Sequence, residues 1–180
     1  MLTFLVVHLG LRKFLELFSY CLVERKQRWL LLSKTPNLDD ILKQYTLRRE
    51  VIKPNREVYI IDPAKIREVM QLIKNSYEDN VYLATIAGVD KAKENIFELN
   101  YFIHIVSLGK TIVIKTSIPR NNPKLDTIMD IIPGAYGAEA EIFDLLGIEF
   151  TGNKHLRRGF FVPLDIVSRG VYPLRKDAQV

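Results

Sequence analysis

Glu139, Glu141 and Asp144 lie close together in one acidic, apolar-studded stretch, GAYGAEAEIFDLLGIEF, spanning 134–150. Glu141 and Asp144 are three residues apart and so share a helix face. Paired carboxylates at that spacing could relay a proton or share a metal ion. Either chemistry would want a histidine or further carboxylates close by in space. The same pattern suits a solvated acidic face opposite Ile142, Phe143 and Leu146, with the early glutamates favoured by the helix dipole. A second candidate is the paired Arg157 and Arg158 in HLRRGFFVP. They are either a solvated pair or two planar forks that take carboxylates of an acidic partner bidentately. His8 and His104 sit on apolar segments without ligand-spaced partners, and His155 reads as an ordinary surface residue. The single Cys21 excludes a disulfide framework, a four-thiolate zinc site and an iron–sulfur cluster held by this chain alone. It also points to a reducing compartment.

Gly134-Ala-Tyr-Gly137 has the GXXG spacing with which RNA-binding KH modules clamp a nucleic-acid backbone. Glu139 and Glu141 follow it where basic residues would be needed, and they would repel phosphate. There is no phosphate-binding P-loop, no GxGxxG after a strand and no nucleophile with a paired base. A stand-alone enzyme and an RNA-binding module are therefore the weaker function classes. Docking onto another protein is the stronger one.

The elements that must position these residues follow from periodicity. With 180 residues and 48% apolar content, one domain with one core is expected. The net charge of +5 suits nucleic acid, an anionic membrane surface or an acidic protein, without choosing among them. Residues 1–35 are expected to form an amphipathic extension. Its uncharged run is about half of the roughly 20 residues a membrane-spanning helix needs, and it lacks a signal peptide's basic lead and cleavage site. Asn37 caps a helix start carrying Ile41, Leu42 and Tyr45. EVYII (57–61) reads as a strand, and 62–76 as a helix with Asp62 at its cap and Pro63 at its first position. Three strands follow: VYLATIAGV, FELNYFIHIVSL and TIVIKTSIP, the last two joined by a short turn at Gly109. In the middle strand Phe97, Leu99, Tyr101, Ile103 and Ile105 alternate with Glu98, Asn100, Phe102 and His104, so one face is apolar. DTIMDII (126–132) reads as a short helix, and about 135–146 as a longer one ended by Gly147. Beyond Phe150, prolines and glycines forbid a long periodic segment, leaving an irregular tail that is expected to need another protein's surface. The fold class is α+β, a mostly antiparallel sheet covered by helices with an extended irregular C-terminal tail.

Taken in order, ATIAGVD (84–90), SIPRNNPKLDTIMDIIPGA (117–135), the acidic helix, HLRR (155–158) and PLRKD (173–177) make up a recognisable set. They resemble the 30-kDa peripheral-arm subunit of respiratory complex I and its counterparts in complex-I-related membrane-bound nickel–iron hydrogenases and archaeal sulfur-reducing complexes. The family's acidic pair, aromatic and Asp map onto Glu139, Glu141, Phe143 and Asp144. The resemblance makes these, with Arg157, Arg158, Pro173, Leu174, Arg175, Lys176 and Asp177, structural or subunit-interface residues, with no catalytic, cofactor or metal site. This chain departs from the family at Gly137 and near Ile166, where tryptophan is usual, at Ala140 in place of Arg, and at Asn153 and Lys154 in place of a His-Pro pair. The resemblance implies a body over 36–150 and a partner-wrapping tail over 151–180. It also implies a cofactor-free structural subunit on the cytoplasmic side of the cell membrane. Its expected partners are a hydrogenase-type large subunit, an iron–sulfur small subunit and, indirectly, a membrane-embedded ion-translocating module. The expected parent is hydrogenase-like or sulfur-reducing, with an NADH:quinone oxidoreductase as the alternative. Iron–sulfur clusters are expected in the neighbours, and nucleic acid is not an expected partner.

Overall fold

A computed structural model describes residues 37–52 and 56–179. The expected N-terminal extension, with His8 and Cys21, lies outside the described residues. In chain order the elements are α1 (Leu38–Leu42), β1 (Thr46–Ile52), β2 (Arg56–Ile61), α2 (Ile66–Tyr77), β3 (Val81–Lys91), β4 (Ile96–Ile105), β5 (Lys110–Pro119), β6 (Lys124–Asp126), α3 (Ala135–Leu146), β7 (Glu149–Thr151) and α4 (Leu164–Ser168). The starts of the helices obey their local chemistry. Asn37 accepts the N–H of Asp39 at the head of α1. Asp62 accepts that of Ala64 and caps a single 3-10 turn, Pro63–Lys65, that leads into α2.

The five-stranded sheet has the order β1-β2-β5-β4-β3. Every neighbouring pair is antiparallel except β2 and β5. The α+β class expected from the sequence is the one observed. The apolar face of β4 is its buried face: Phe97, Leu99, Tyr101, Ile103 and Ile105 are all fully buried. With Ile112, Ile114 and Ile118 of β5 they join one core with Ile66, Met70 and Ile73 of α2 and Ile142 and Leu146 of α3. β6 and β7 form a separate parallel pair.

A register shift between Leu83 and Thr85 in β3 decides which side of the sheet the rest of that strand addresses. After it, Ile86 lies opposite Tyr101, Gly88 opposite Leu99 and Asp90 opposite Phe97, so all three share the core face with their partners. Gly88 is where α3 crosses the strand. A Cβ there would come within 2.5 Å of Leu146 Cδ1 and 2.8 Å of Ile142 Cδ1. Those atoms end flexible side chains, so alanine should be accommodated by small rotations. Valine at this position should overpack the crossing and lower stability by about 1 to 3 kcal/mol, read as a reduced urea midpoint. A midpoint equal to wild type would show that α3 rides higher above the sheet.

Two local readings are corrected. Residues 126–132 do not form the short helix expected of DTIMDII. Asp126 belongs to β6, the Ile128 N–H is taken by the Glu139 carboxylate, and the Met129 N–H by Thr127 Oγ1. The Ile131 and Ile132 N–H groups close a single turn on the Ile128 carbonyl, and Pro133, which has no N–H, cannot add the next bond. The edge strand β1, TLRREVI, is absent from the sequence expectation, because three adjacent charged residues hide its period. Among the described residues no helix is long and apolar enough to cross a membrane.

Candidate docking site

The acidic helix α3 shows no solvated acidic face. Glu139 and Asp144 are both completely buried, with Ala140 and Ile142 between them. Asp144 points to the tail. Its Oδ1 accepts the N–H of Gly159 at 2.9 Å and Arg158 Nε at 3.0 Å, and its Oδ2 accepts the N–H groups of Phe161 at 2.7 Å and Val162 at 2.9 Å. Burial alone would raise the carboxyl's pKa. The three backbone donors, with the Arg158 charge, hold it below the ordinary value. Asp144 is therefore an ionised bolt around which 158–162 is wound. Arg158 also donates to the Val171 carbonyl at 2.5 Å and lies 4.0 Å above the Tyr172 ring.

A second fastening holds 172–177. Arg175 Nε donates to the Leu146 carbonyl at 2.6 Å, and the Leu174 N–H donates to the Leu145 carbonyl at 3.1 Å. These carbonyls lie at the negative end of the α3 dipole, where a guanidinium is favoured. Gly147, at φ 73°, caps the helix, and a Cβ there would meet Arg175 Nη2 at 2.6 Å and the Tyr172 ring at 2.7 Å. Both its backbone angle and the closeness of the tail require glycine. Tyr172 is sandwiched between Arg158 and Arg175, whose guanidinium centres lie 4.0 and 4.6 Å from its centroid. Asp90, buried on the core face of β3, accepts Arg120 Nε at 2.9 Å, Arg120 Nη2 at 3.1 Å and the Lys176 N–H at 2.7 Å. Arg120 also donates to Asp177 at 2.5 Å. Contrary to the sequence expectation, the tail does pack on its own body: its turns return to α3, β3 and the end of β5 through polar contacts that no local pattern shows.

Glu139 does the corresponding work at the other end of α3. Its Oε2 accepts Thr127 Oγ1 at 2.6 Å and Asn153 Nδ2 at 2.9 Å, and its Oε1 accepts the Ile128 N–H at 2.9 Å. All three donors are neutral, and burial outweighs them, so its pKa is raised. A raised folded pKa favours the folded state most below the ordinary glutamate value of about 4.3, and this advantage is lost as pH rises through the folded value. Wild type should therefore lose stability relative to Glu139→Gln across that window, read from thermal melts of both proteins at a series of pH values. A pH-independent difference would contradict the neutral environment assigned to Glu139.

Of the residues singled out in the sequence, Glu139, Asp144, Arg158, Arg175 and Asp177 are brought together as internal fasteners. Glu141, Phe143 and Pro173 are half-buried, and Arg157, Leu174 and Lys176 face outward. The Arg157–Arg158 pair is split: Arg157 has no carboxylate within ion-pair distance among the described residues and lies 5.7 Å over the Phe160 ring. Asp90, Arg120, Thr127, Asn153 and Tyr172 carry no role in the sequence expectation, although Asp90, Arg120 and Thr127 fall within two of the ordered motifs. Glu139 and Asp144 of α3 are enclosed and fully bonded and so hold the shape of the chain, while Glu141, the third carboxylate of the helix, is half-buried. Among the described residues no group of three or more His, Cys, Asp and Glu side chains is placed to hold a metal ion.

Fold and fasteners define a class: a small mixed-sheet protein whose buried carboxylates hold a folded-back, irregular tail. The chain belongs to the family of the respiratory-chain NADH dehydrogenase 30-kDa subunit, whose model matches residues 59–180. It is 34% identical over 121 residues to the C subunit of NADH-quinone oxidoreductase from Rickettsia prowazekii, a match covering 66% of this chain and 59% of that protein. It is 28% identical over 117 residues to the C subunit of F(420)H(2) dehydrogenase from Methanosarcina mazei, covering 65% of this chain and 72% of that one. In three dimensions it is similar to a chain in the structure of the membrane-bound sulfane sulfur reductase, an archaeal respiratory membrane complex. That likeness has a TM-score of 0.66 and 32% identity, covering 79% of this chain and 84% of the other.

Proposed function

We propose that this chain is a cofactor-free structural subunit in the cytoplasmic arm of a complex-I-related, ion-translocating membrane-bound oxidoreductase. It holds a nickel–iron-hydrogenase-type large subunit beside the small subunit that carries iron–sulfur clusters. The observation that carries this reading is the use made of the polar groups. Of the carboxylates that the acidic helix offered for chemistry, Asp144 is committed to shaping the tail and Glu139 to joining the 127–128 segment to Asn153, while Arg157, Leu174 and Lys176 are left for a neighbour. The likeness to the sulfane sulfur reductase chain over most of both lengths favours a sulfur-reducing or hydrogenase-like parent. The identity to the Rickettsia protein favours an NADH:quinone oxidoreductase as the second reading.

On this account Glu139, Asp144, Arg158, Arg175 and Asp177 act on the interface by fixing its backbone, and Glu141, Phe143, Arg157, Pro173, Leu174 and Lys176 meet the partner. Electrons pass through the neighbours. Mass spectrometry of subunits co-purifying with the tagged chain tests the assignment. Large and small hydrogenase-type subunits are the expected companions, and an absorbance spectrum of the separated chain should show no visible chromophore. Stoichiometric iron, nickel or flavin surviving gel filtration of the separated chain would overturn it.

A further inference from the structure

The loop wound around Asp144, with the first turn of α3 and the start of α4 on either side of it, leaves a group of large apolar side chains in solvent. Leu164 is 78% exposed, Phe161 55% and Tyr136 37%. They are contiguous. Tyr136 meets the Phe160 ring edge-on at 6.2 Å, and Phe160 meets Phe161 at 4.8 Å. Leu164 reaches back over the loop to within 3.3 Å of a Cβ built on Gly159. Surface loops with exposed aromatics are ordinarily mobile, but here Asp144 takes the N–H groups of Gly159, Phe161 and Val162. The rings are thus held ready, and burying them against a partner would require little further ordering.

We infer that Tyr136, Phe160, Phe161 and Leu164, with Arg157 at their rim, form the hot spot on which an acidic segment of a neighbouring protein subunit docks. This rests on the proposed function in so far as the neighbour belongs to the same complex. Aromatic anchors flanked by arginine are the composition of interface hot spots. Charge then chooses the occupant. Arg157 is exposed beside the Phe160 ring, Lys154 is exposed three residues before it, and neither has a carboxylate partner among the described residues, whereas Asp165 is shared with Arg169 at 4.0 Å. The rim is therefore positive and calls for carboxylates, which a guanidinium takes bidentately. A second copy would bring the same positive rim against itself across a twofold axis. An anionic lipid surface needs a cluster of several cationic residues to hold a protein, so these two cations would hold it only weakly.

The test uses the full chain, free and in the complex purified from its source. Hydroxyl-radical footprinting should show Tyr136, Phe160 and Phe161 oxidised in the free chain and protected in the complex. Phe161→Ser with Leu164→Ser should keep the wild-type melting temperature and weaken affinity for the purified large subunit about thirtyfold. Arg157→Glu should weaken it too and reduce its salt dependence. Equal oxidation of the three rings in the free and assembled chain would overturn the hot spot while leaving the structural-subunit reading intact. Absence of the chain from any respiratory complex would overturn that reading, and the neighbour named here with it. A concentration-dependent dimer abolished by the double serine variant would overturn the acidic-segment assignment. So would wild-type binding to phosphatidylcholine–phosphatidylglycerol vesicles that the double variant loses.

Discussion

Asp144→Ala should lower the stability of the chain by about 3 to 5 kcal/mol, the range for removing one partner of a buried ion pair. Few other single changes in the described residues remove as much. The carboxylate is wholly buried and serves one guanidinium and three backbone N–H groups. Alanine leaves all four donors facing a space too apolar to replace them. Asp144→Asn should recover part of the loss, since one oxygen remains, but its amide would face donors. The pH dependence has a definite sign. Because the folded-state pKa of Asp144 lies below the ordinary value, about 3.9, the contribution is complete above that value and is lost as pH falls through the folded one. Urea unfolding of wild type and Asp144→Asn should therefore converge below about pH 4 and stay apart at pH 7. A difference under about 1 kcal/mol at neutral pH, the size of an ordinary surface change, would mean that the loop is held by something else.

Asp90→Ala should come next, at about 3 kcal/mol. Asp90 ties β3 to Arg120 and to the backbone of the tail, and both ties fail together. Arg120 keeps Asp177, which lies in solvent and is a weaker partner. The readout is local as well as global. Arg175 and Lys176 are trypsin sites within the strap that Asp90 fastens, so the variant should be cut there well before the body is. Cleavage at the wild-type rate would show that Arg175 on the carbonyls of α3 suffices to keep the tail down.

What is legible in the sequence is what is local. The strict alternation of β4 marks its buried face, the Asp62-Pro63 pair marks a helix start, and Gly147 marks the end of α3. β1 escapes because Arg48, Arg49 and Glu50 interrupt any apolar period, and its place depends on pairing with β2. The tail escapes for a related reason. Its irregular backbone does lack a core, but it is held by Asp90, 86 residues earlier than Lys176, and by Arg120, 57 residues earlier than Asp177. Backbone N–H groups, which carry no sequence signature, supply three of the four bonds to Asp144. Chemistry-bearing residue types in α3 are therefore visible in the sequence, while their commitment to the chain's own architecture is not.

On the proposed function, this protein supplies its complex with shape and no chemistry. This is tested most directly by measuring electron-transfer activity per assembled complex in a deletion strain complemented with wild type, Glu141→Gln or Arg157→Glu. Among the described residues Glu141 is the one motif carboxylate that the fold leaves uncommitted, and Arg157 the one outward arginine of its pair. Assembly should fall for Arg157→Glu and change little for Glu141→Gln, with activity per assembled complex equal to wild type in both. A variant that assembles fully yet loses turnover would contradict the account, because the missing group would then belong to the reaction.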